Sequence, residues 1–120
     1  MLLYHGTPIE NLESILADGL IPMQDIKSED PPVVWLTTNA ELALLNAYHV
    51  DVTIVAVREK DRKATGYVAL EVNANSYEPA TVEVGYYWVL RTIKPSDLIV
   101  VRQENFETIR QLFREKVLKV

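Results

Sequence analysis

The strongest constraint on the fold is a run of extended segments in the second half of the chain, with no helical segment between them. Apolar and β-branched residues predict strands at Val52–Val57, Tyr67–Val72, Thr81–Ile93 and Leu98–Val101, and turn residues at Lys94–Asp97 separate the last two. A parallel sheet needs a helix between consecutive strands. The pattern therefore predicts an α+β fold with an antiparallel or mixed sheet.

The first fifty residues twice contain a strand followed by a helix start. Leu2–His5 and Val33–Thr37 predict short strands. Each precedes a capping-box sequence, Thr7–Glu10 and Thr38–Glu41, in which the first threonine is expected to cap the helix. The second helix is expected to reach about Tyr48. The two segments differ in length and side chains, so they do not form a repeat.

The last segment predicts an amphipathic helix over about 105–119, with Asn105 as its N-cap. A chain of 120 residues is expected to form one domain, so residues 1–120 are treated as one unit. The predicted apolar face of this helix consists of Phe106, Ile109, Leu112, Phe113 and Val117.

Composition narrows the chemistry. The chain has no cysteine and two histidines, which excludes a disulfide framework, a thiol nucleophile and a cysteine-based metal site, and no metal is expected. Apolar runs fall short of the roughly 18–20 residues that span a bilayer, and the first residues lack the basic start of a signal peptide. We therefore expect a cytoplasmic protein that does not enter a membrane.

The charge is distributed unevenly. Residues 1–57 contain one basic side chain, Lys27, against eight acidic ones, a net charge of −7, whereas residues 58–120 contain eleven basic against nine acidic side chains. A protein of net charge −5 with so acidic a first half is poorly suited to a polyphosphate backbone. A protein partner is therefore favoured over a nucleic acid.

Three segments together resemble a known family. Tyr4–Thr7 reads Tyr-His-Gly-Thr, Asn11–Leu20 contains Asn-Leu, Ser-Ile-Leu and Gly-Leu, and Trp35–Thr38 ends a strand in two threonines. This pattern resembles the start of the ADP-ribosyltransferase fold family, most closely its RNA 2′-phosphotransferase branch and the bacterial toxins that ADP-ribosylate DNA bases. Over residues 67–101 the likeness extends to strand order and one turn. It implies a split, mostly antiparallel sheet with short flanking helices and a nucleotide cleft.

The resemblance also implies an NAD site. His5 would hydrogen-bond the ribose hydroxyls of NAD, and the backbone of Gly6 would hold the nicotinamide amide. Thr37 would lie near the nicotinamide ribose and Tyr48 would stack on the nicotinamide ring. Thr7 is a further candidate for cofactor binding, although its expected role as a cap would occupy its hydroxyl. The four glycines are never clustered, so a Rossmann-type dinucleotide site is not expected.

A transferase of this family also needs a glutamate that stabilises the ribosyl cation. Family members carry it on the strand before the final turn, where this chain has Tyr86–Trp88 instead. The nearest acid is Glu83, and strand alternation would turn it toward a cleft unless a bulge at Gly85 shifts the phase. An exposed strand glutamate is an equally good reading of Glu83. Glu71 and Glu78 are weaker candidates.

Three functions follow as hypotheses. The first is a small NAD-dependent mono-ADP-ribosyltransferase that modifies an unknown macromolecular acceptor. Its small size would suit a toxin or a phage effector. The second is an inactive domain of the same fold that binds a nucleotide or a host protein, because no glutamate occupies the family position. The third, an RNA 2′-phosphotransferase, is disfavoured because the second strand has no histidine or arginine for RNA and its 2′-phosphate.

Overall fold

The structure is a computed structural model that describes residues 1–23, 30–58 and 64–118, so Lys27 lies outside the described residues. Six strands and three α-helices are present in these ranges, with short 3₁₀ turns at Ile9–Asn11 and Pro95–Asp97 and a π-helical turn at Arg114–Leu118. The strands are β1 (Leu2–Pro8), β2 (Val34–Thr37), β3 (Gly66–Asn73), β4 (Ala80–Glu83), β5 (Tyr86–Val89) and β6 (Leu98–Asn105), and the helices are α1 (Leu12–Asp18), α2 (Ala40–Arg58) and α3 (Phe106–Phe113).

The strands form one sheet in the order β4-β5-β2-β1-β3-β6, and every neighbouring pair is antiparallel. The predicted α+β class is thereby confirmed. The junction between β1 and β2 is narrow, because the described register joins them at one pair, Tyr4 and Thr37. By contrast, β1 pairs with β3 over its whole length. The sheet therefore consists of two three-stranded halves that meet at a short contact.

Alternating side chains divide the core between the two faces of the sheet. On the first face, which we call the α1 side, Leu3, Leu36, Leu70 and Val72 pack together with Ile15 of α1. On the second face, the α2 side, the core is formed by residues of α2, α3 and β3, namely Ala43, Leu44, Leu45, Ala47, Tyr67, Ala69 and Ile109, together with Ala64.

The strand predicted at Val52–Val57 is wrong, because α2 continues through this segment to Arg58. The β-branched run favours a strand by local propensity. However, there is no glycine or proline between Ala40 and Arg58, and Thr53 donates a hydrogen bond from its hydroxyl to the carbonyl of His49 at 2.8 Å. Asp51 also accepts a hydrogen bond from the buried Tyr67 hydroxyl at 2.8 Å, which ties this part of the helix to β3.

The single long strand predicted at Thr81–Ile93 is also wrong, because the segment forms the hairpin of β4 and β5. Gly85 has a φ of 86° and forms the turn, where a side chain would be strained. The expected bulge lies within β4 rather than at Gly85, since Thr81 pairs with Tyr87 but Glu83 pairs with Tyr86. The register shift changes the alternation on which the sequence interpretation of Glu83 depended.

Two of the three predicted helix caps differ from the structure. Thr7 belongs to β1, and Glu10 accepts hydrogen bonds from the backbone and hydroxyl of Thr65 instead of completing a capping box. In α2 the cap is Asn39 rather than Thr38, and its side chain accepts from the backbone N–H of Leu42 at 2.8 Å. A shift of one residue in a helix start is a common error of sequence patterns.

The C-terminal helix agrees with its prediction at its N-cap and in most of its apolar face, but α3 ends at Phe113 and the chain continues as a π-helical turn over Arg114–Leu118. The side chain of Asn105 accepts a hydrogen bond from the backbone N–H of Thr108 at 2.8 Å, so Asn105 is the N-cap. Ile109 is fully buried, while Val117 lies beyond α3 and is half exposed. Phe106, Leu112 and Phe113 pack with Ile109 on the α2 side. None of the helices described is long and apolar enough to cross a membrane.

Candidate functional site

His5 lies beside the narrow junction of the two half-sheets. Its Nδ1 is 2.8 Å from the backbone oxygen of Trp35, so the imidazole spans from β1 to β2 next to the Tyr4–Thr37 pair. Carbonyl oxygens only accept hydrogen bonds, and Nδ1 must therefore carry the proton. The ring plane is fixed by this contact, with Nε2 at its opposite end.

Burial lowers the pKa of His5 below its ordinary value, and the hydrogen bond to Trp35 opposes this effect only in part. The imidazole is therefore neutral near pH 7. With the proton on Nδ1, Nε2 carries a lone pair and acts as an acceptor. Among the described residues Nε2 has no hydrogen-bond partner, so it is available to a donor such as a sugar hydroxyl.

Gly6 has a packing role that the motif did not reveal. A Cβ at this position would lie 1.9 Å from the carbonyl oxygen of Ala43 and 3.1 Å from the Cβ of Ala47. The backbone of α2 therefore rests directly on β1, and glycine is required there whether or not a ligand binds. The proposed contact of the Gly6 backbone with nicotinamide stays a prediction.

The hydroxyls of Thr7 and Thr37 are buried and have partners within the protein. Thr7 accepts a hydrogen bond from the side-chain amide of Asn11 at 3.3 Å. Thr37 donates to the carbonyl oxygen of Asn39 at 2.9 Å and approaches that of Tyr4 at 3.4 Å. Both threonines are at most 5% exposed, so their hydroxyls serve the fold in the present arrangement.

Tyr48 lies in an aromatic cluster on the α2 side. Its ring is 5.1 Å from that of Phe113, 5.5 Å from that of Phe106 and 6.1 Å from that of Tyr67, measured between centroids. These contacts join α2 to α3 and β3. Tyr48 therefore contributes to the core, and its predicted stacking on nicotinamide would require the ring to leave this cluster.

Glu83 is exposed on β4, an edge strand of the sheet. It pairs with Tyr86, which pairs with Thr37, which in turn pairs with Tyr4, so the four residues form one row across the sheet. Three strand spacings of about 4.8 Å separate the two ends of this row, which places the backbones of Glu83 and Tyr4 about 14 Å apart. Burial, and to a smaller extent the charge of Glu83, raises the pKa of Tyr86.

The register places the predicted site residues on opposite faces of the sheet. His5 pairs with Leu70 of the α1-side core, and side chains of a directly paired set share a face. The row of Tyr4, Thr37 and Glu83 faces the α2 side, because Tyr4 packs against the α2-side core. The structure therefore brings His5 and Thr7 to one face, and Thr37, Tyr48 and Glu83 to the other.

Sequence reasoning missed a pair of tryptophans. Trp35 and Trp88 are paired across β2 and β5, and their ring centroids lie 5.5 Å apart at an angle of 58°. Trp35 is 37% exposed. The alternation of buried Val34 and Leu36 around Trp35 was the available signal, but the pairing with Trp88 depends on the hairpin that the sequence interpretation merged into one strand.

Comparison with known proteins adds no family assignment. The chain matches no model of a known protein family and no curated protein sequence. Functional conclusions therefore depend on the motif and on the geometry of His5.

Proposed function

We propose that this protein is a cytoplasmic domain of the ADP-ribosyltransferase type that binds NAD at the junction of β1 and β2. The observation that carries the proposal is the state of His5: a neutral ring whose Nδ1 is held by Trp35 and whose Nε2 lone pair is open to a donor. A ribose hydroxyl is such a donor. The family resemblance at Tyr4–Thr7 likewise implies that His5 hydrogen-bonds a ribose hydroxyl of NAD.

The backbone beside His5 supports this proposal. Beyond the Tyr4–Thr37 pair, the described register has no pair between the remainder of β1 and β2. We propose that backbone N–H and C=O groups on this edge of β1 bind the amide of nicotinamide, which both donates and accepts hydrogen bonds. Because residues 1–57 contain one basic side chain, Lys27, the pyrophosphate would have to be held by backbone amides, by helix N-termini or by basic side chains after residue 57.

The positions of the carboxylates favour binding over catalysis. Glu83 is exposed at the edge of the sheet, on the face opposite His5, and no acid lies on β5. A glutamate that stabilises a ribosyl cation must lie within hydrogen-bond reach of the ribose. We therefore propose an NAD-binding module that does not turn the dinucleotide over.

A mono-ADP-ribosyltransferase acting on a protein acceptor is the second candidate. One observation favours it: Glu83 occupies the same cross-sheet row as Tyr4, the residue before His5. Catalysis would require the dinucleotide to extend from His5 around to the face of the sheet that carries Glu83. In that case Glu83 would stabilise the positive charge of the ribosyl group as nicotinamide leaves.

Calorimetric titration with NAD tests the binding proposal. We expect saturable binding to the wild type and loss of about tenfold in affinity in His5→Leu, the magnitude of one well-placed hydrogen bond in a site that excludes water. His49→Leu removes the other histidine, which is exposed, and should bind as the wild type does. No heat of binding at millimolar NAD would contradict the proposal.

The pH dependence provides a measurement on the unmodified protein. Protonation of Nε2 removes its lone pair, so NAD affinity should be constant above the pKa of His5 and fall as the pH drops through it. Because burial lowers that pKa, the decrease in NAD affinity should occur below pH 6.5.

Nicotinamide release distinguishes the two candidate functions. If the wild type and Glu13→Gln release nicotinamide from NAD and Glu83→Gln does not, the protein is a transferase and not a binding module.

A further inference from the structure

The α2 side of the half-sheet formed by β4, β5 and β2 carries an aromatic surface that consists of Trp35, Trp88 and Tyr86. The two tryptophans contact each other at 5.5 Å, and all three side chains remain partly exposed. The helix α2 does not cover them, since it packs mainly on β1 and β3. Contiguous apolar surface of this kind can serve as an interaction site, whereas single exposed apolar residues are common on any protein.

A carboxylate borders this aromatic surface. Glu83 pairs with Tyr86, and the small Ala80 pairs with Trp88. The Glu83–Tyr86 pair and the Ala80–Trp88 pair are two residues apart along β5, a spacing of about 7 Å. A group stacked on Trp88 would therefore lie within reach of the Glu83 side chain.

We propose that this aromatic surface, together with Glu83, binds the guanidinium group of an arginine on a partner protein. Tryptophan faces attract cations more strongly than other aromatic side chains do, and a carboxylate binds a guanidinium through paired hydrogen bonds. The two indole planes are inclined at 58°, so the rings do not lie parallel as the opposite walls of a cage would, and both residues remain partly exposed. An open face suits the planar guanidinium better than a tetrahedral ammonium.

Charge complementarity supports an external arginine. The protein has a net charge of −5, which attracts a basic partner. Three of its own arginines are engaged elsewhere: Arg91 lies over the ring of Tyr77, Arg102 pairs with Glu104, and Arg110 pairs with Glu107. This proposal is independent of NAD binding, because it concerns the face of the sheet opposite His5.

Tryptophan fluorescence tests the proposal directly, since Trp35 and Trp88 are the two tryptophans of the chain. The probe is a short alanine peptide with one central arginine and blocked ends, titrated at low ionic strength. The matched probe replaces arginine by citrulline, which has nearly the same shape and no charge. We expect the arginine peptide to bind about tenfold more tightly, as a cation–π contact combined with a carboxylate contact implies.

Two variants test whether the arginine peptide binds at Glu83 and Trp88. Glu83→Gln should weaken binding of the arginine peptide by about fivefold, whereas Glu13→Gln, the same change on the exposed surface of α1, should leave it within twofold. Trp88→Leu should abolish most of the fluorescence response while Trp35 still reports folding. Equal binding of the arginine and citrulline peptides, equally tight binding of a lysine peptide, or equal effects of the two glutamine variants would overturn the proposal.

Discussion

At the scale of single residues, Gly6 connects the sequence motif to the packing of the fold. The motif suggests a glycine kept for close approach of a ligand, whereas the structure shows the backbone of α2 at this position. Both explanations require a missing side chain, and the sequence cannot distinguish them because Ala43 is distant along the chain. His5 was identified from the sequence, but the position of its proton on Nδ1 depends on the hydrogen bond to Trp35, a contact between strands that no local pattern contains.

Substitution of Gly6 should therefore destabilise the protein even without a ligand. In Gly6→Ala the new Cβ meets the carbonyl oxygen of Ala43, a backbone atom that cannot move alone. Overpacking of this kind costs about 3 kcal/mol in the free energy of unfolding, measured by urea denaturation. Gly85→Ala, where the nearest atom belongs to the flexible Leu42 side chain, should cost about 1–2 kcal/mol through its positive φ. A smaller loss at Gly6 than at Gly85 would contradict this packing.

At the scale of elements, the sequence predicted the class of the fold better than the ends of its elements. The strands β1, β2, β3 and β6 and the helix α3 follow from local periodicity. The errors occurred where local preference and tertiary structure disagree. The β-branched end of α2 is held in a helix continuous with Ala40, and a run of β-branched and aromatic residues is divided by the Val84–Gly85 turn.

The helical state of the segment after His49 can be tested at Thr53, which is exposed. Alanine exceeds threonine in helix propensity by up to about 0.7 kcal/mol, whereas threonine is the better residue in a strand. Thr53→Ala should therefore raise the free energy of unfolding by about 0.5 kcal/mol in urea denaturation. Thr81→Ala, the same change in β4, should lower it. A destabilising Thr53→Ala would indicate that this segment is not helical.

At the scale of the whole molecule, burial differs between the central strands and the edge strands of the sheet. In the central strand β3, six of the eight residues are buried, whereas every residue of the edge strand β4 is exposed. The candidate site could be predicted from the sequence only in part. Residues such as His5 and Glu83 can be found individually, but the face on which each lies depends on pairing across the sheet and on the bulge in β4.

The narrow junction should make the halves open with different free energies. Amide hydrogen exchange followed by NMR should show β4 and β5 exchanging faster than β3, because local openings of an exposed half cost less than global unfolding.

Thr37→Val removes the buried hydroxyl that bonds Asn39 and Tyr4 at the junction. A buried hydrogen bond lost in this way costs about 1.4 kcal/mol, so exchange in β5 should quicken about tenfold relative to β3. The control variant Thr81→Val makes the same substitution at an exposed residue of β4. It should leave the ratio of exchange rates between β5 and β3 within about twofold of the wild type. One common opening free energy for β3 and β5 would show instead that the sheet behaves as a single cooperative unit.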